Sequence, residues 1–83
     1  MNKRKLLKKA LVSPNSIRFG DMVTLLEAFG FRLGRVRGSH HIFEHPDVLE
    51  TVNIQNRKDN AKAYQVRQFL ELVEQYSLEL GEE

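Results

Sequence analysis

All three histidines of this chain fall in one run, Gly38-Ser39-His40-His41-Ile42-Phe43-Glu44-His45-Pro46. Imidazoles this close suggest either a metal site or proton transfer. If the run is a strand, geometry disfavours the metal. His40 and His41 point to opposite faces. His41 and His45 share a face but sit ~13 Å apart along it, at ~3.3 Å per residue. Ligands of one zinc ion must each lie ~2.0–2.1 Å from the metal. Proton transfer fits His40 better. It follows the Gly38-Ser39 turn directly, and Arg35 and Arg37 precede that turn on the other arm of the hairpin. An imidazole with an ordinary pKa of ~6.5 gives or takes a proton near neutral pH. Guanidinium groups hold a phosphate and spread its developing charge. A base beside a phosphate clamp is a set suited to RNA cleavage: it deprotonates the 2′-hydroxyl, the oxygen attacks the adjacent phosphorus, and the 5′-oxygen leaves.

The neighbouring pattern supplies the elements that must position these groups. Leu6, Leu7, Ala10 and Leu11 share one side of a short N-terminal helix, flanked by Lys5, Lys8 and Lys9. Ser13-Pro14-Asn15-Ser16 ends it, since proline disfavours helix in the residue before it. Asp21 is placed to cap a second helix. Met22, Leu25, Leu26 and Phe29 give that helix an apolar face, and Gly30 stops it as a left-handed C′ residue. Three strands follow, at about 31–37, 40–45 and 50–55. Gly38-Ser39 turns between the first pair, and Pro46-Asp47 begins the turn between the second. In the third strand Val52 and Ile54 face the core, while Thr51, Asn53 and Gln55 face out. Residues 55–60 are polar and read as a loop, with Asp59 or Asn60 capping a last helix. Val66, Phe69, Leu70, Val73 and Tyr76 form that helix's apolar stripe. The end, Leu80-Gly81-Glu82-Glu83, is expected to fray.

Helices at both ends of the chain can cover one face of a three-stranded antiparallel sheet, which makes an α+β fold. The other face and the basic loops are left for function. Eighty-three residues make one domain. Residues 1–16 are its basic helix and joint, 17–78 its core and 79–83 an acidic tail.

The chain lacks cysteine, which excludes disulfides and thiol chemistry and suits a reducing cytosol. No apolar run approaches the ~20 residues of a membrane span. Lys8 and Lys9 interrupt the apolar stretch that an export signal requires. A cytoplasmic location is expected.

Net charge is only +2, but it is segregated. Residues 1–45 hold nine Lys or Arg against three Asp or Glu, while residues 46–83 hold four against eight. A basic front half attracts a polyanion by releasing its counterions. Lys58, Lys62 and Arg67, near the start of the last helix, are further candidates for phosphate contact. Tyr64 and Gln65 can meet a base or pack on the third strand; packing is the expectation for Tyr64. Phe43 is expected in the core.

The segments Gly30-Phe31-Arg32 and Arg37-Gly38-Ser39-His40-His41-Ile42-Phe43 resemble the signature of HicA toxins, over roughly residues 17–78. In that family a helix ends in Gly-Phe, a strand follows, and a Gly-Ser/Thr-His turn presents the catalytic histidine. The matching residue is His40. Many members carry Pro-x-His after the third strand, where this chain has Ile54-Gln55-Asn56-Arg57. The resemblance implies a fold like double-stranded-RNA-binding domains. It also implies a ribosome-independent mRNA interferase, with His40 as general acid or base. Arg35, Arg37, Gly38, Ser39, Lys58 and Lys62 are then the expected RNA contacts. A HicB-type antitoxin covering the His40 region is the implied protein partner, and neither metal nor other cofactor is expected. Two other readings compete: a double-stranded-RNA-binding module without chemistry, and an interaction protein using its acidic tail and apolar helix faces.

Overall fold

The structure is a computed structural model and describes residues 2–81. Its elements run α1 (Lys3–Val12), a single 3-10 turn (Pro14–Ser16), α2 (Phe19–Ala28), β1 (Arg32–Arg37), β2 (His40–His45), β3 (Val48–Arg57), β4 (Asn60–Ala61) and α3 (Ala63–Gln75). The strands form one antiparallel sheet in the order β1-β2-β3-β4. The architecture is α+β, as expected, but the sheet has four strands rather than three.

The fourth strand arises where a polar loop was expected. β3 runs on past Gln55 to Arg57. Lys58 and Asp59 then both take positive φ, 52° and 70°, as a tight two-residue hairpin turn requires. Asn56 Oδ1 accepts the Asp59 N–H at 2.8 Å and steadies this turn. The returning chain is held on its far side as well. Phe19 N–H donates to the Asp59 carbonyl, and Ala61 N–H to the Ile17 carbonyl, each at 2.9 Å. Polarity misleads here because these residues are fixed by backbone hydrogen bonds rather than by burial.

The same bonds move the start of α2. Its N-cap is Arg18 rather than Asp21, because Phe19 N–H is already taken by β4. Asp21 lies in the first turn, where a carboxylate suits the positive end of the helix dipole. The last helix is not capped by Asp59 or Asn60 either, since β4 uses both as turn and strand; Lys62 is its N-cap. α2 ends as its sequence suggests. Gly30 takes φ 92°, its N–H donates to the Glu27 carbonyl, and Phe31 N–H donates to the Leu26 carbonyl. This paired closure turns the chain sharply into β1.

All three helices supply buried side chains to one core: Leu6 and Ala10 of α1, Met22, Leu25 and Leu26 of α2, and Val66 and Phe69 of α3. The sheet contributes Phe43, Val52 and Ile54. Phe69 is fully buried and meets Phe29 and Phe31 edge-on, at ring-centre distances of 5.6 and 5.8 Å. At the C-cap of α3, Tyr76 donates its hydroxyl to the Glu50 carboxylate, which raises the phenol's pKa above its ordinary value. Leu80 packs against the core and Gly81 N–H bonds the Ala28 carbonyl at 2.8 Å, so the expected fraying does not begin there. Glu82 and Glu83 lie outside the described residues.

Phe69→Ala removes the ring shared by α2, α3 and the chain entering β1. It should cost about 3–5 kcal/mol, a large part of the 5–15 kcal/mol typical of a domain. Urea denaturation of the variant should show a strongly lowered midpoint, or no folded baseline. An unchanged midpoint would mean that this ring cluster does not hold the core.

A candidate site on the uncovered sheet face

Strand alternation sorts the residues around His40. Phe43, Val52 and Ile54 are buried beneath the helices. Their alternates His40 and Ile42 on β2, and Asn53 and Gln55 on β3, therefore face the other way. Arg37 pairs with His40 and Arg35 with Ile42, so both arginines share the face of His40. A bulge at Gly34 adds a third. Counted back from the turn, regular pairing would set Leu33 opposite Glu44; the bulge sets Arg32 there instead and turns Leu33 to the Phe43 side. A Cβ at 34 would lie 2.8 Å from the Glu44 carboxyl group, so a larger residue there would move that exposed side chain aside.

The Gly38-Ser39 turn fixes this register. Arg37 and His40 pair directly across it, with Gly38 at φ 58°. A glycine of positive φ at the first central position matches the twist of a two-residue hairpin. Gln55 Nε2 reaches Ser39 Oγ at 3.4 Å, which ties the turn to β3.

The three histidines play different roles. The His40 ring is partly buried, and its Nδ1 lies 2.9 Å from Asn53 Nδ2 and 3.2 Å from Asn53 Oδ1. His41 faces the helix side and meets the Phe19 ring edge-on at 4.8 Å. His45 packs edge-on against Phe31 at 5.0 Å, and its Nδ1 accepts the Asp47 N–H at 3.0 Å. Among the described residues, no group of three His, Cys, Asp or Glu comes together as a metal site would need.

Lys58 and Lys62 sit in a second basic region. They line a hollow beside the start of α3 together with Arg57, Arg67, Tyr64 and Asn15. The β3–β4 turn lies at the same end of the sheet as the Gly38-Ser39 turn, because His40 pairs with Gln55 near the end of β3. The two turns are thus about two strand spacings apart, at ~4.8 Å each. The Tyr64 hydroxyl accepts a hydrogen bond from Gln65 Nε2. Tyr64 is half-exposed, since α3 turns Gln65, Val66 and Phe69 inward instead.

Sequence reasoning missed two residues here and left a third, Gln65, open between meeting a base and packing on the third strand. Asn53 was legible as outward-facing, but its contact with His40 depends on register. Arg57 was hidden in the presumed loop. Gln65 is the one buried polar residue among those described, and it connects α3 to the site. Its Oε1 accepts the Gln55 N–H at 2.8 Å, beyond the point where β4 ends. Its Nε2 donates to Gln55 Oε1 at 3.1 Å and to the Tyr64 hydroxyl at 3.2 Å. Of the two alternatives for Gln65, packing on the third strand is the one the structure shows.

Fold and site together define a small α+β domain whose uncovered sheet face presents one histidine among arginines. The chain belongs to the HicA toxin family of bacterial toxin–antitoxin systems, whose family model matches residues 19–74. Membership makes it the toxin of such a pair, with an antitoxin as its partner. The match covers α2 through nearly all of α3 and leaves α1 outside. No curated protein and no solved structure matches the chain significantly. Among the described residues, no helix is long and apolar enough to cross a membrane.

Gln65→Leu keeps the bulk of the side chain but strips the Gln55 N–H of its partner. An unsatisfied buried donor costs about 1–3 kcal/mol. Chemical denaturation should report a loss in that range. A variant as stable as the parent would show that water replaces the glutamine at no cost.

Proposed function

We propose that this toxin is a metal-independent endoribonuclease that cleaves mRNA in the cytoplasm, with His40 as its general acid–base residue. The supporting observation is the setting of His40: partly buried on the sheet face that the helices leave uncovered, with Arg37 paired beside it and Arg35 one pair further on. The imidazole takes the proton of a ribose 2′-hydroxyl. The freed oxygen attacks the adjacent phosphorus, and the P–O5′ bond breaks. One product ends in a 2′,3′-cyclic phosphate and the other, once its leaving oxygen is protonated, in a 5′-hydroxyl. Arg35 and Arg37 hold the phosphate and offset its charge as the attack proceeds. The turn backbone at Gly38 and Ser39 approaches the RNA, and Lys58 and Lys62 hold the strand further along. A HicB-type antitoxin inhibits by covering the His40 face.

The basic hollow supports a second reading, a module that binds double-stranded RNA by shape and phosphate contacts without chemistry. Arg57, Lys58, Lys62 and Arg67 could serve that role with no help from His40.

Cleavage separates the two. On a purified transcript, His40→Gln should fold normally, bind RNA as before and cut at least about 100-fold more slowly, within the range usual for general acid–base groups. A folded variant cutting at the parental rate would remove His40 from the chemistry. RNA binding by a wild-type chain that forms no product would favour the binding module.

Arg35→Ala combined with Arg37→Ala tests the clamp. Each lost phosphate contact lowers the slope of log affinity against log salt by about 0.7 for a single strand, so the pair should flatten it by about 1.4. An unchanged slope would place the phosphate elsewhere.

A further inference from the structure

Among the described residues, the amide of Asn53 is set against Nδ1 of the His40 ring. We propose that Asn53 is the positioning residue of this site: its amide oxygen accepts the His40 Nδ1–H, so the ring presents an unprotonated Nε2 to the RNA 2′-hydroxyl. The proposal rests on the ribonuclease reading above and names the atom through which it works.

The geometry supports this in three ways. Asn53 and His40 share the uncovered face of adjacent strands in diagonal positions, since His40 pairs with Gln55 and Ile42 with Asn53. Diagonal neighbours on an antiparallel pair are ~7–8 Å apart between backbones, within reach of long side chains. The contact is partly buried, which limits competition from water. It also falls on one ring nitrogen only. Nδ1 lies 2.9 Å from Asn53 Nδ2 and 3.2 Å from Asn53 Oδ1, and a half-turn of the amide, whose two ends have the same shape, sets the oxygen at the nearer place.

Which amide atom faces the ring decides the tautomer. The hydrogen bond at one ring nitrogen sets the state of the other. With Oδ1 toward the ring, Nδ1 carries the proton and Nε2 is free to act as a base. When Nε2 then takes the proton from the 2′-hydroxyl, Nδ1–H still donates to Oδ1, so the ring keeps its orientation through the step. With Nδ2 toward the ring, the neutral imidazole carries its proton on Nε2 and cannot act as a base there. A half-turn of the amide about its terminal bond exchanges the two. Asparagine guides the ring without adding a negative charge. The groups facing His40 are otherwise Arg37 on β1 and Gln55 on β3, with Arg35 and Glu44 further along the same face.

The test combines kinetics with a signal that needs no activity. Asn53→Ala should lower kcat by about 10- to 100-fold, the scale of loss when a reacting group is misplaced, with RNA affinity nearly unchanged. Asn53→Asp restores an acceptor for Nδ1–H and should recover much of the rate. Its carboxylate also stabilises the imidazolium, so the rising limb of the pH–rate profile should move to higher pH. In long-range proton–nitrogen NMR spectra of the labelled protein, neutral His40 should be the Nδ1–H tautomer in the parent and shift toward Nε2–H in Asn53→Ala. Equal kcat for parent and Asn53→Ala, or an Nε2–H ring in the parent, would overturn the proposal. If the parent cuts no RNA at all, the ribonuclease reading fails by itself. The tautomer comparison would still decide whether Asn53 holds the ring.

Discussion

Side chains along a strand must alternate, and here only one side of the sheet is covered. That constraint governs the rest of the molecule. Burying Phe43, Val52 and Ile54 under the helices commits His40, Asn53 and Gln55 to the opposite face. A slip of one residue in the β2–β3 register would drive His40 into the core and expose Phe43, so the apolar core itself enforces the site. The Gly38-Ser39 turn and the Gly34 bulge then bring Arg32, Arg35 and Arg37 alongside. Little of the stabilising free energy comes from the site residues; the core supplies it and the register transmits its order to the surface.

The helices contribute through connections as well as through cover. Gln65 reaches from α3 to the backbone of Gln55, directly across from His40. The Ile17–Phe19 segment leading into α2 completes the far edge of the sheet by pairing with the chain around Asn60. The sheet is therefore fixed at both ends of β3, near the His40 turn by Gln65 and near Val48 by Tyr76 and Glu50. β1 is exposed along its whole length. The arginine-bearing strand is thus the one with an open edge.

Much of this was legible in the residue pattern. The stripe Met22-Leu25-Leu26-Phe29 and the stop at Gly30 give α2 and its end, and the glycine turn gives the hairpin that carries His40. Alternation in β3 shows that Asn53 and Gln55 face outward. What pattern could not show is anything fixed by backbone pairing between distant segments. β4 is held by Ile17 and Phe19, forty residues or so away in sequence, so its polar residues read as a loop. The start of α2 moved for the same reason. Gln65 and Asn53 act through side-chain hydrogen bonds, whose partners follow only from register.

The central claim is that His40 on this face cuts RNA in the cell, and its most direct test is the chemistry of the cut ends. The chain and its His40→Ala variant would be induced separately in a bacterium at matched soluble levels, and transcript termini mapped by end-specific ligation. The account predicts growth arrest with new 2′,3′-cyclic phosphate and 5′-hydroxyl ends in the parent only. Intact transcripts in both, or the same ends in both, would contradict it.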